Sequence, residues 1–275
     1  MRTRALFFFA VVLVVVGVGV AIYRGSGPLP DPEGCKAVVA GHEVDLSTEQ
    51  AENASLIAGI GVRRGLPARA VSIAFATAFQ ESKLRNLTSG DRDSIGLFQQ
   101  RPSQGWGTPA QVGDPTYATN KFYDALVKVP NYETIRITDA AQKVQRSGFP
   151  EAYDAHAADA RALASALTGF SPGGRFTCVV HASTTNGTAQ AAIASLANAY
   201  GVTAKRTGSR QDLTVAVGSR QVGWSIAQYF VAQGSALKIT KVSFDNKVWE
   251  TGRSSEKGWQ HDGSASSTTV HISLG

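Results

Sequence analysis

Gln80-Glu81-Ser82, followed by Gly90-Asp91-Arg92-Asp93-Ser94-Ile95-Gly96-Leu97-Phe98-Gln99-Gln100, is the stretch on which the reading of this chain turns. Upstream of Glu81, the string PARAVSIAFATAFQESKL sets Val71, Ala74, Phe75, Ala78 and Phe79 at helical spacing. That spacing predicts a helix with one buried stripe, with Pro67 in its first turn and Glu81 near its end. A carboxyl group among apolar neighbours loses hydration, so its ionised form is disfavoured and its pKa rises. Kept protonated near neutral pH, it can hand a proton to a glycosidic oxygen. Residues 86–101 are turn-rich and then β-like, which predicts a small hairpin. Gly96 there would leave room for a sugar, and Gln99 and Gln100 offer amide donors and acceptors to hydroxyl and acetamido groups. Asp91 and Asp93 lie in a turn that could fold back over the helix end. On residue type alone the plainer readings lead: a solvated helix-end glutamate, and aspartates that serve turn geometry.

Working outward, Ser47-Thr48-Glu49-Gln50 has the form of a capping box. Behind it Ala51, Ala54, Leu56, Ala58 and Val62 predict a helix that ends at Gly65. Residues 116–129, 138–146 and 151–168 read as helical, so residues 35–168 form a mainly helical domain with one small hairpin. Residues 169–175 (GFSPGGR) are a linker by composition. Beyond them, Phe176–His181, Leu213–Val217, Leu237–Phe244, Lys247–Thr251 and Thr269–Ser273 read as strands. Gly187–Tyr200 and Val222–Gln233 read as helices. Residues 176–275 are therefore an α+β domain of one sheet and two helices.

The string ES…GDRDS-IGLFQQ resembles the lysozyme-like superfamily, specifically soluble lytic transglycosylases and goose-type lysozymes. There a helix ends in Glu-Ser and a hairpin carries Gly-Leu-Met-Gln; here Phe98 stands in place of Met. The wider run from residue 46 to 168 is similar to a group of actinobacterial exported wall proteins. The resemblance implies a lysozyme-like fold, Glu81 as the catalytic acid and Ser82 as its support. It also implies Asp91 as a candidate for positioning a water; Gly96, Gln99 and Gln100 stand beside it as substrate-binding residues on their own chemistry. The family's Ala-Tyr-Asn-x-Gly string is missing: the corresponding region reads Val144-Gln145-Arg146-Ser147-Gly148-Phe149-Pro150. Gln145 or Tyr153 stands in as a substrate contact, helix packing being the alternative for both. The implied substrate is the glycan strand of peptidoglycan, in an enzyme that needs no cofactor. One acid alone leaves the substrate's own groups to finish the reaction as transglycosylation. A second carboxylate across the sugar would make it an inverting hydrolysis.

Residues 212–274 bear a fainter resemblance to the zinc D-alanyl-D-alanine carboxypeptidase-like fold. Its His-x-His string reads Thr269-Val270-His271 here, and its earlier ligand string is absent. A lone histidine cannot hold a zinc that needs three protein ligands. The domain therefore reads as metal-free and as a wall-binding or positioning module. Trp224, Trp249 and Trp259 would supply either a ligand-contacting surface or, for at least two of them, core aromatics.

The nineteen-residue uncharged run Ala5–Tyr23 has the length of a membrane span, with Arg2 and Arg4 before it and Arg24 after it. Residues 1–23 are thus expected to be an N-terminal membrane anchor with its N-terminus inside, or else a cleaved signal. Residues 24–34 would be a linker to a body outside the cytoplasm, in a plasma-membrane or secreted protein. In that compartment Cys35 and Cys178, the two cysteines, can form a disulfide; a buried free thiol is the alternative. A multi-span transporter is excluded, since no second apolar run of comparable length exists. Five scattered histidines lack metal-ligand spacing, so no metal is expected. The net charge of +6 is dispersed, which speaks against nucleic acid. It suits an anionic surface such as a cell wall or lipid headgroups, or a solvated face with no partner. Protein partners are not legible. The remaining alternative is a non-catalytic wall-binding or assembly protein on a lysozyme-like scaffold.

Overall fold

The computed structural model describes residues 14–16, 20, 30–208 and 211–275. β1 (Gly34–Val39) and β2 (His42–Leu46) form a hairpin turned at Ala40-Gly41, both at positive φ (50° and 81°). Two left-handed residues in a two-residue turn match the twist of the flanking strands. Cys35 and Ala37 on β1 and Val44 and Leu46 on β2 are buried, the alternation of a half-buried ribbon. The helical layer follows with α1 (Thr48–Arg63), α2 (Ala68–Ser82), α3 (Pro109–Val112), α4 (Pro115–Leu126), α5 (Ile137–Gln145) and α6 (Ala157–Leu167). α1 begins in a closed capping box of Ser47 and Gln50. α2 packs along α6, and the β1–β2 hairpin lies against α6.

β3 (Phe176–Val179) then returns to pair antiparallel with β1, giving a three-stranded sheet in the order β2-β1-β3. The disulfide Cys35–Cys178 joins these two strands at directly opposed positions, across a sequence separation of 143. The rest of the chain runs α7 (Ala189–Tyr200), β4 (Lys205–Thr207), β5 (Asp212–Ala216), α8 (Arg220–Ala232), α9 (Gly234–Leu237), β6 (Ile239–Phe244), β7 (Lys247–Glu250), β8 (Gln260–His261) and β9 (Thr269–Leu274). The second sheet has the order β4-β5-β9-β6-β7-β8. α8 is buried between that sheet and α1. Its Gly223 lets the Phe244 ring seat against the backbone, because a Cβ there would stand 2.1 Å from the ring. The β6–β7 turn is Asp245-Asn246, both left-handed, and the buried Asp245 carboxylate takes Arg220 Nη2 at 2.6 and 2.7 Å and Trp224 Nε1–H at 3.0 Å. Residues Glu33–Gly275 make one compact unit.

Three expectations are corrected. The fold class is mixed α/β with two sheets, and not a mainly helical lysozyme-like domain followed by a separate class of domain. Its first strands precede the helices and share a sheet with β3. The hairpin expected within 86–101 is a loop with one isolated bridge, Ile95 to Gln100, because Gly96 and Gln99 at positive φ (83° and 46°) break the extended backbone. Among the described residues no helix is long and apolar enough to cross a membrane. The run Ala5–Tyr23 lies outside the described residues, apart from Val14–Val16 and Val20. The expected N-terminal membrane helix, membrane attachment as a partner interaction and the plasma-membrane location rest on that run; no spanning helix among the described residues supports them, and they are not carried further.

Candidate functional site

The end of α2 is held with unusual care. Lys83 and Leu84 both take left-handed backbone (φ 55° and 58°), which costs a non-glycine residue roughly 1–2 kcal/mol each. Their amides bond back to Phe79 O and Ala78 O at 3.0 Å, satisfying the last carbonyls of the helix. Leu84 is fully buried. Two side chains of α1 clamp the turn from outside: Gln50 Nε2–H donates to Lys83 O at 2.9 Å and Asn53 Nδ2–H to Leu84 O at 2.8 Å. Gln50 thus closes the α1 capping box with one end of its amide and fixes the α2 terminus with the other. Ser82, buried, donates its hydroxyl to Leu97 O at 2.7 Å, tying the same terminus to the 94–100 loop.

Glu81 sits on this fixed helix end, half-buried. Tyr153 Oη, from the 3₁₀ turn Ala152–His156, donates to Glu81 Oε1 at 2.7 Å. Burial raises the Glu81 pKa above the usual carboxylate range; the hydrogen bonds from Tyr153 and Gln145 pull the other way. Tyr153 is itself pushed up, by burial first and by Glu81 second, so it stays a donor. Gln145, the last residue of α5, donates Nε2–H to Phe98 O at 2.7 Å. One side of the site is closed by His156, stacked on Phe79 at 5.7 Å and 3.1 Å from Gln80 Oε1. Burial holds its pKa down, against the opposing charge of Asp159.

Gln145 also lines the neighbouring cleft, of about 780 Å³, formed with Gln104, Trp106, Lys128, Lys143 and Arg146. That volume falls in the range typical of ligand sites. Gln145 therefore links the cleft to the Glu81–Tyr153 pair, which lies behind it and does not itself line the cleft; Tyr153 is fully buried.

The other named residues lie elsewhere. Asp91 is exposed, its carboxylate 3.9 Å from Arg92 Nε. Asp93 accepts from Ser103 N–H at 2.8 Å, Arg101 Nε–H at 2.7 Å and Ser103 Oγ–H at 3.0 Å. These bonds hold it well below the usual carboxylate range and staple the loop to the Pro102–Gln104 turn. Gly96 serves packing, since a Cβ would lie 2.4 Å from Val112 O, and so it does not line a sugar groove. Gln99 donates to Gly96 O at 3.1 Å, and its Oε1 occupies the space a Cβ on Gly90 would need. Gln100 is buried, donating to Ala118 O at 3.2 Å. Ser82, Gly96 and Gln100 thus shape the site from beneath.

In the C-terminal half, Trp224 and Trp249 are fully buried, and the Nε1–H of Trp249 and of Trp259 donate to backbone carbonyls of β3. These rings are core. His271 faces solvent between Thr214 and Ser243, which supply no metal ligand. Among the described residues no cluster of His, Cys, Asp or Glu could hold a metal ion.

No protein-family profile matches the chain, and no curated protein matches it. No matching family or curated relative therefore supports the transmembrane, peptidoglycan-processing or lysozyme-like description of this chain.

Proposed function

We propose that this protein cleaves the glycan strand of peptidoglycan, with Glu81 as general acid. The observation that carries the proposal is the pairing of Glu81 with Tyr153 at 2.7 Å, on a clamped helix end beside a cleft. Burial favours the protonated form of Glu81, the form that can hand a proton to a glycosidic oxygen. As that proton leaves and the C1–O bond breaks, the Tyr153 hydroxyl stabilises the carboxylate that forms. The groups acting on Glu81 are Tyr153 and Gln145, with no second carboxylate among them. Asp93 is committed to Arg101 and Ser103, and Asp91 is paired with Arg92 in solvent. This favours a route in which the sugar's C6 hydroxyl closes on C1 while Glu81 takes back a proton, leaving a 1,6-anhydro end. The likeness of residues 80–100 to lytic transglycosylases supports the same reading.

The test is a digest of purified peptidoglycan by the full-length protein, with products examined by mass spectrometry. Anhydro ends are expected. Reducing ends would overturn the transglycosylase route, and binding without any product would mark a non-catalytic wall protein instead.

The pH profile gives a second test. Activity requires protonated Glu81, so kcat/KM falls as pH rises through its pKa. The Tyr153 hydrogen bond lowers that pKa, so Tyr153→Phe raises it. The basic limb of the profile is expected to move to higher pH in Tyr153→Phe. A limb that stays in place, or moves to lower pH, would detach Tyr153 from the acid.

A further inference from the structure

We infer that the cleft beside Glu81 carries a subsite for carboxylate groups borne on the strand, read by Lys128, Lys143 and Arg146. The inference rests on the proposed function only in taking the strand to be a glycan. Three cations and no carboxylate line this cleft. None of the three joins a salt bridge or a side-chain hydrogen bond among the described residues. Elsewhere several surface cations are matched: Lys36 with Glu43, Arg64 with Asp124, Arg101 with Asp93, Arg220 with Asp245 and Lys241 with Glu250. The acidic side chain on α5 itself, Asp139, is tied to Arg136 at 2.7 Å, which also holds Glu151. The field in the cleft is therefore uncompensated, and concave walls concentrate such a field.

The placement of the charges adds to the argument. Lys128 follows α4, Lys143 lies in the last turn of α5, and Arg146 caps that helix in left-handed conformation (φ 53°). Two of the cations thus stand at a helix C-terminus, where the macrodipole already favours positive charge. They can be kept there at little cost while free to meet an anion. Trp106, half-buried, lines the same cleft. Gln145 joins the two parts, bordering Glu81 on one side and the cations on the other. A strand lying over Gln145 would present its sugar linkage to Glu81 and its acidic substituents to the cationic wall. The carboxylate can belong to a stem peptide, or to the sugar's own lactyl group where no peptide is attached to it.

Binding separates this subsite from catalysis. Glu81→Gln protein, full length, is sedimented with acid-treated sacculi free of phosphate polymers. Parallel arms use sacculi whose carboxylates are amidated, and glycan strands stripped of peptide by an amidase. Native sacculi are expected to be bound more tightly than amidated ones, with the difference shrinking at high salt. Adding Lys128→Gln, Lys143→Gln and Arg146→Gln should weaken binding to native sacculi roughly tenfold, since three modest ion pairs are lost. It should leave binding to amidated sacculi unchanged. The charge-preserving set Lys128→Arg, Lys143→Arg and Arg146→Lys should bind as the parent does, which separates charge from folding. Loss on stripped strands assigns the carboxylate to the stem peptide; retention shows that the lactyl carboxylate freed by the amidase also serves. Equal binding to native and amidated sacculi, or no loss in the glutamine set, overturns the inference. Carboxylate-dependent binding by a wild-type protein that yields no cleavage product would leave the subsite standing and remove the enzyme reading.

Discussion

Glu81→Gln protein is expected to lose strand cleavage by about 10²–10⁴-fold, the usual contribution of a positioned general acid. Glutamine keeps the shape of the side chain and an oxygen to accept the Tyr153 hydroxyl; only the transferable proton is gone. Folding should not suffer. Burial raises the Glu81 pKa, so the folded state holds this proton more tightly than the unfolded chain does. Stability of the parent therefore falls as pH climbs from the ordinary glutamate range, about 4.3, to the raised value. Above that window the parent carries the full cost of a half-buried charge, and the neutral amide does not. Muropeptide release and thermal melting, measured together near neutral pH, check both halves. Undiminished release would take Glu81 out of the mechanism. A much lower melting temperature would mean that the side chain holds the fold.

The second large effect concerns the disulfide. Replacing Cys35 and Cys178 together by serine should lower unfolding free energy by about 2–5 kcal/mol. The upper end applies because the bridge closes a loop set by a sequence separation of 143, and longer loops lose more chain entropy when tied. Both positions are buried, so two hydroxyls would also need new partners there. Urea denaturation of the double variant against the oxidised parent measures the difference. Identical midpoints would show that strand pairing alone fixes β1 to β3. The bond also needs an oxidising environment to form, and a reductant titration followed by the same melt reads that dependence.

Much of the helical layer is legible in the residues. The apolar stripe of Val71 to Phe79 and the Ser47–Gln50 box are local signals, and each marks its helix within a turn or so. The later strands are legible too, because Leu213, Val215, Val242, Phe244, Val270 and Ile272 alternate inward. The first sheet is not legible in the residues, for a physical reason. Cys35 to Leu46 alternates, but its partner strand is supplied from far along the chain, and no local pattern states that pairing. The 86–101 stretch reads as β-like yet forms a loop, because Leu97 and Phe98 pack inward side by side, which an extended strand cannot do.

At the site, Glu81 is legible as a carboxylate at the end of an apolar helix. Tyr153 could be named only as a candidate, since its hydroxyl meets Glu81 across 72 positions of sequence. The clamps from Gln50 and Asn53 were invisible, because a capping glutamine gives no sign that its second amide atom is used elsewhere. The cationic cleft was equally hidden. Lys128, Lys143 and Arg146 look like ordinary surface charges until α4 and α5 bring them together.

The pairing of β1 with β3 has a consequence for how this protein is made. Translation delivers β1 and all of the helices that surround Glu81 before the strand that completes their sheet has left the ribosome. Until then the nascent chain carries an exposed edge of backbone donors and acceptors, of the kind that invites wrong partners. Lying early in the chain, the acid is built first, but its scaffold is locked only once the polypeptide has been extended past Cys178.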